Sequence, residues 1–252
     1  MIDPVAIDLG FVTIRWYGIM SALTILGGIW LGRYWAAKFS LDTDDFDTIA
    51  LACIPSWMVG ARAAYVLVNL QSYRGRPLEI IRIDHGGLAS QGGLFLTFAV
   101  VWVLARHMRV PFWTLADSFA PAFALGHILI RIGNFANGEL YGAPTDLPWG
   151  MVFPGTFEPR HPSMLYEGAG AVIVLALSIF WAKRRSHQGD VFLKTLIAIS
   201  LLRFFVDFTR EAGEQMYAGL AISQLLALAS IAIALILLRK HLRTENPNAQ
   251  VK

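Results

Sequence analysis

The stretch Phe112-Trp-Thr-Leu-Ala-Asp-Ser-Phe-Ala-Pro-Ala-Phe-Ala-Leu-Gly-His-Ile-Leu-Ile-Arg-Ile132 decides the fold. It is close to the ~20 residues a helix needs to cross a bilayer. It shows no alternation of the barrel-strand kind and is too long for one strand, so it reads as a helix. Six similar runs lie at residues 16–31, 49–70, 88–105, 164–182, 191–208 and 220–238. The expected fold is therefore all-α, a polytopic membrane protein of about seven transmembrane helices. Residues 1–252 are expected to form a single integral-membrane domain.

Composition agrees with the runs. The 252 residues are 56% hydrophobic and 15% charged, against about 45–50% and 25% in soluble domains. The mean hydropathy of +0.52 and the scarcity of charge exclude a disordered chain, a disulfide scaffold and a coiled coil. The net charge of +3 does not form a basic face, so nucleic acid is not an expected partner. The single cysteine, Cys53, lies in an apolar run and makes no intramolecular disulfide. Asp3 and Asp8 with no early basic cluster do not fit a cleavable signal peptide. The hydrophobic segments themselves are expected to direct insertion.

Basic residues in alternate connections set the orientation. Arg33, Lys38, Arg106, Arg109, Lys183, Arg184, Arg185, Arg239, Lys240, Arg243 and Lys252 make eleven on one side. Arg15, Arg74, Arg76, Arg82 and Arg160 make five on the other. The eleven are expected in the cytoplasm. The N-terminus is then periplasmic, the C-terminus cytoplasmic, and the extracytoplasmic loops lie near 71–87, 133–162 and 211–219.

The remaining basic residues, Arg62, Arg131, Lys194, Arg203 and Arg210, fall in or at the ends of the runs. A charge at mid-bilayer costs on the order of 3 kcal/mol or more, so such groups face protein-lined, wet cavities. Lys194 sits near the inner face, where snorkelling accounts for it. The four arginines share the outer half, and planar guanidinium forks suit phosphate or carboxylate. A phosphate-bearing lipid is the economical partner. The alternative is internal pairing, for which Asp84, Glu139, Glu158, Glu167, Asp207 and Glu211 are available; Arg203 and Asp207 are spaced to pair on one helix.

The densest polar stretch follows at once: Arg131-Ile-Gly-Asn134-Phe-Ala-Asn137-Gly-Glu139-Leu-Tyr-Gly142. Arg131 and Asn134 share a helix face if the helix continues one turn, and Asn137-Gly138-Glu139 reads as the turn after it. A second cluster, Asp84-His85-Gly86-Gly87-Leu-Ala-Ser90-Gln91-Gly92-Gly93, opens the third run. Glycine costs a helix about 1 kcal/mol each, so close helix packing or ligand access to backbone N–H groups is expected there. Arg15-Trp16-Tyr17-Gly18 at the first run reads equally as an aromatic belt.

The Arg131–Gly142 stretch resembles the long signature of the bacterial prolipoprotein diacylglyceryl transferases. Further matches keep chain order: Trp16-Tyr17-Gly18, Gly60-x-Arg62-x-x-Tyr65, the double Gly-Gly segment, Asp117, Arg160-His161-Pro162-Ser163 with Leu165-Tyr166-Glu167, and Arg203-Phe204-x-x-Asp207-Phe208-x-Arg210. The resemblance covers essentially the whole chain. It implies transfer of the sn-1,2-diacylglyceryl group from phosphatidylglycerol to the lipobox cysteine of preprolipoproteins. A thioether forms and glycerol-1-phosphate leaves.

The resemblance also implies a bacterial cytoplasmic (inner) membrane location and no cofactor or metal. Arg131 is implied to hold the lipid phosphate, with Arg203 as the second essential cation. Tyr17, Arg62, Asn134, Asn137, Glu139, Gly142 and Arg210 are expected to bind or shape the substrate site.

The chain departs from the family pattern at several positions. Gln91 stands where the family usually has a histidine, and glutamine takes no proton at neutral pH. Ile199 replaces a usual tyrosine, Asp207 a usual Glu and Met164 a usual Gln. His85 or Glu139 is left to accept the thiol proton. A free thiol with a pKa of about 8.5 is already partly ionised, so the base is helpful without being indispensable.

His127, one helical turn before Arg131, is read as a packed core histidine or a residue that orients Arg131. His107, His187 and His241 need no role, and no His, Cys and carboxylate spacing resembles a metal site. A transporter or channel for an anionic solute is the competing class, but it would show repeated halves, and none is seen. Ser90 and Ser163 lie in no G-x-S-x-G elbow, against a hydrolase.

Overall fold

The computed structural model describes residues 3–82, 86–211, 216–217 and 219–244. Each of the seven apolar runs is a helix: α1 (Trp16–Lys38), α2 (Thr43–Val68), α3 (Ser90–His107), α4 (Phe112–Asn137), α5 (Ser163–Lys183), α6 (Asp190–Val206) and α7 (Ile222–Thr244). Four of these, within α2, α4, α5 and α7, are long and apolar enough to cross a membrane. The protein is an all-helical membrane protein apart from two short antiparallel hairpins, β1 (Val5–Asp8) with β2 (Thr13–Arg15) and β3 (Met216–Tyr217) with β4 (Leu220–Ala221).

Two compact units divide the chain: residues 1–35 with 116–252, and residues 36–115. In the second unit, the Asp42 carboxylate starts α2 by accepting from Asp44 N at 2.7 Å and Asp45 N at 3.3 Å, which satisfies orphan donors of the first turn. α2 packs on α3 through glycine. A Cβ on Gly60 would run into the Gly92 carbonyl, one on Gly92 into Ala64 and the Gly60 carbonyl, and one on Gly93 would lie 2.8 Å from the Trp57 ring. The backbones therefore meet where any larger residue would hold them apart. Close packing is thus the reason for the second Gly-Gly pair.

In the first unit, α4 lies against α1. A Cβ on Gly133 would sit 3.1 Å from Tyr17 Cδ2, and one on Gly126 would sit 2.8 Å from Thr24 Cγ2. α5 meets α4 where a Gly168 Cβ would lie 3.4 Å from Arg131 Cβ, and Gly170 admits Leu202 of α6.

α6 starts on a side chain from α4. Asp117 is fully buried and accepts from Gly189 N at 2.7 Å, Phe192 N at 2.8 Å and Arg185 Nε at 2.8 Å. A carboxylate at a helix N-terminus meets both free N–H groups and the positive end of the dipole. Lys194, read as snorkelling, is instead paired at 2.8 Å with Asp190 one turn earlier. The i, i+4 spacing on a helix makes that contact local.

Candidate active site

α4 does not stop at Ile132 but runs to Asn137, then turns at Gly138 with φ +68. The left-handed residue after a helix end is the ordinary place for glycine. The extra turn keeps Arg131 and Asn134 on one face. Arg131 Nη1 donates to Asn134 Oδ1 at 3.1 Å, and Asn134 Nδ2 donates to Glu139 Oε1 at 2.9 Å. Asn137 Nδ2 reaches the same Glu139 oxygen at 3.4 Å. The predicted turn at 137–139 is present, and its asparagines hold Glu139 in place.

Three arginines converge on one carboxylate. Glu167 of α5 is fully buried. Arg131 Nη2 donates to its Oε1 at 2.7 Å, Arg210 Nη2 to its Oε2 at 2.8 Å, and Arg203 Nη1 lies 3.4 Å from both oxygens. His127 Nε2 is 3.1 Å from Oε1. Asp207 lies 3.1 Å from Arg203 Nη2 and 3.6 Å from Arg210 Nε.

A buried carboxylate costs several kcal/mol in desolvation unless cations repay it, and Glu167 is repaid three times over. The reverse also holds. Three guanidiniums against Glu167 and Asp207 leave one positive charge unbalanced within the contacting set. The Nε atoms of Arg131 and Arg210 are buried without a hydrogen-bond partner among the described residues. Arg203 is the most open of the three, with 31% of its side chain exposed against 13% for Arg131.

The loop beside the cluster is braced by backbone. Gly142 N donates to the His161 carbonyl at 2.7 Å, His161 N to the Ala143 carbonyl at 3.0 Å and Ala143 N to the Thr209 carbonyl at 2.9 Å. A Cβ on Gly142 would strike the Thr209 carbonyl and Ser163 Oγ. Gly142 is therefore a close-approach glycine that ties the loop to the segment carrying Arg210. Arg160 clamps the same loop, 2.9 Å from Glu211 and 5.4 Å over the Tyr141 ring.

Of the residues singled out from sequence, Arg131, Arg203, Arg210, Asn134, Asn137, Glu139 and Gly142 lie in this unit, and Tyr17 packs on Gly133. Arg62 and Gln91 belong to the other unit. Arg62 is buried, and all three of its nitrogens donate to carbonyls, those of Glu79, Ile80, Arg82, Gly86 and Gly87. Its guanidinium shapes the loop that Gly86 and Gly87 enter with positive φ. Gln91 is exposed in the first turn of α3, and His85 and Asp84 lie outside the described residues.

Sequence reasoning left two residues of the cluster underweighted, Glu167 and His127. The Tyr166-Glu167 match and the one-turn spacing of His127 from Arg131 were the available signals. His127 is not a plain core histidine, since its imidazole meets the central carboxylate.

The sequence matches the family described as prolipoprotein diacylglyceryl transferase over residues 4–239. The phosphatidylglycerol--prolipoprotein diacylglyceryl transferase of Nitratidesulfovibrio vulgaris (strain DSM 19637 / Miyazaki F) is 38% identical over 263 residues, covering 99% of this chain and 98% of that protein. The enzyme of the same name from Bordetella avium is 37% identical over 245 residues, covering 93% of each chain. That from Geobacter sulfurreducens is 39% identical over 220 residues, covering 85% of each. With Arg131, Arg203 and Arg210 in place around one buried carboxylate, the chain belongs to the prolipoprotein diacylglyceryl transferase family.

Proposed function

We propose that this protein transfers the sn-1,2-diacylglyceryl group of phosphatidylglycerol to the lipobox cysteine of preprolipoproteins and releases glycerol-1-phosphate. The observation that carries the reading is the convergence of Arg131, Arg203 and Arg210 on Glu167 with positive charge to spare. The chemistry forms a carbon–sulfur bond as the carbon–oxygen bond to phosphate breaks, so negative charge grows on the departing phosphate. Preorganised donors aimed at such charge in a water-poor pocket are the largest single source of catalysis in many enzymes.

In this reading Arg131 and Arg203 bind the phosphate and stabilise it as it leaves. Glu167, Asp207 and Arg210 keep the forks apart and aimed. Tyr17 and Asn134 shape the site beside Arg131, while Asn137, Glu139 and Gly142 brace the loop over it. Arg62 acts by holding the carbonyls of Glu79, Ile80, Arg82, Gly86 and Gly87.

All seven helices span the bacterial cytoplasmic membrane, N-terminus outside and C-terminus inside. The excess of eleven basic residues over five in alternate connections supports that orientation. Residues 1–252 act as one catalytic domain, with loops near 71–87, 133–162 and 211–219 on the outer face. An anion transporter is not favoured: the family is one of transferases, and the sequence has no repeated halves.

The test is purified protein in phosphatidylglycerol vesicles with a lipobox peptide, reading glycerol phosphate release and peptide mass. The unmodified enzyme is expected to add one diacylglyceryl group per thiol. Arg131→Lys keeps the charge and loses the fork; it is expected to lower the rate by about 10²-fold or more, as loss of one oxyanion donor does. Full activity of Arg131→Lys would remove Arg131 from the phosphate site.

A further inference from the structure

We propose that His127 is the group that takes the proton of the incoming lipobox thiol, with Glu167 as its positioning residue. The proposal rests on the transfer reaction above and deepens it. An ionised carboxylate only accepts hydrogen bonds, and Glu167 Oε1 already accepts from Arg131 Nη2 at 2.7 Å. The His127 Nε2 lying 3.1 Å from that same oxygen therefore carries the hydrogen. In a neutral imidazole this leaves the lone pair on Nδ1.

Nδ1 has no partner among the described residues, and the His127 side chain keeps 18% of its surface open. A carboxylate that fixes one ring nitrogen so that the other can accept a proton is the logic of the nucleophile, base and acid triad. Here the carboxylate holds Nε2 and the working nitrogen is Nδ1.

The other candidates for the proton are less suited. Gln91 cannot take one. The Glu139 oxygen Oε1 is occupied by Asn134 and Asn137 at 2.9 and 3.4 Å. His127 lies on the face of α4 that carries Arg131, so its base is held by the same carboxylate that aims the phosphate-binding fork.

The titratable group it meets is Glu167 from α5, and the charges that share Glu167 with it are Arg131 on its own helix, Arg203 on α6 and Arg210 just beyond, with Asp207 paired to Arg203. Its apolar neighbour is the Phe123 ring at 6.5 Å.

The step balances. The thiol proton moves to Nδ1, the sulfur pair forms the bond to the glyceryl carbon, and the pair of the broken carbon–oxygen bond leaves on the phosphate of glycerol-1-phosphate. The imidazolium then gives its proton to water.

The experiment is the pH–rate profile of the unmodified enzyme and of His127→Gln, in phosphatidylglycerol vesicles with a lipobox peptide, from pH 6 to pH 9.5. At neutral pH His127→Gln is expected to lose about 10²-fold in kcat, within the usual span of general-base catalysis, with KM for phosphatidylglycerol nearly unchanged. Above the thiol pKa of about 8.5 the peptide ionises unaided, so the deficit is expected to shrink to a few-fold.

A deficit that stays constant with pH, or one carried by KM, overturns the proposal. So does an unchanged rate in His127→Gln. Absence of transfer by the unmodified enzyme overturns the transferase reading itself and this proposal with it. If the Gln variant does not fold, as read by its thermal unfolding in detergent, the same profile is read on His127→Asn with the same expected recovery.

Discussion

Arg131 and Glu167, thirty-six residues apart in sequence, meet at 2.7 Å, and that contact ties the Arg131 guanidinium of α4 to α5. Among the described residues, Glu167 is the carboxylate that all three arginines touch. Its removal is therefore expected to act on fold and chemistry together. Glu167→Ala leaves three half-buried guanidiniums without their shared partner, and breaking an ion pair to a buried carboxylate in this way costs up to about 3–5 kcal/mol. Thermal unfolding in detergent should show a large fall in midpoint, and transfer activity should be lost. An unfolding midpoint equal to that of the unmodified enzyme would mean the cluster is not a structural keystone.

Asp117 tests the opposite case, a buried carboxylate far along α4 from Arg131. Asp117→Ala removes the acceptor for Gly189 N, Phe192 N and Arg185 Nε. Loss of a cap costs about 1–2 kcal/mol, and the lost ion pair with Arg185 adds to it. Stability is expected to fall while the KM for phosphatidylglycerol of the folded fraction stays the same. A changed KM at unchanged stability would give Asp117 a part in binding.

Gly142→Ala is expected to be disruptive despite adding one methyl group. The new Cβ would strike the Thr209 carbonyl and the Ser163 hydroxyl. Overpacking costs about 1–3 kcal/mol, and here the displaced segment carries Arg210. Transfer should drop more than tenfold. Activity close to that of the unmodified enzyme would show that the loop yields without moving Arg210.

Arg62 donates to five carbonyls of the 79–87 loop. Arg62→Ala strands those carbonyls and should loosen the loop before anything else. Trypsin cleavage after Arg82 is expected to accelerate by about tenfold, the equivalent of 1.4 kcal/mol of lost local stability. Arg62→Lys, with one nitrogen in place of a fork, should give only partial protection. An unchanged cleavage rate in Arg62→Ala would place the loop's stability elsewhere.

The seven helices, the extra turn that joins Arg131 to Asn134, and the turn at 137–139 were legible from residue order. Each is a local consequence of an apolar run, an i, i+3 spacing or a glycine. The close Gly-Gly crossing of α2 on α3 was half legible: glycine inside a helical run announces a close approach, but not what approaches.

Helix ends were less so. α1 continues past the expected end at residue 31 to Lys38, and α2 starts at Thr43 on an Asp42 cap rather than at residue 49. Hydrophobicity marks what lipid would cover, while a helix goes on as long as its backbone bonds are met.

Sequence alone determined that this protein is a helical membrane protein with arginines in or at the ends of its apolar runs, because burying apolar runs and charges in lipid leaves few alternatives. Only the tertiary structure decided how those arginines divide. Arg131, Arg203 and Arg210 share Glu167, and Arg62 is spent on backbone carbonyls instead. Only it turned His127 from a core residue into a partner of that carboxylate. The reason is that charge pairing depends on distances of about 3 Å between helices, and a one-dimensional pattern gives the depth and face of a side chain but not which neighbour it meets.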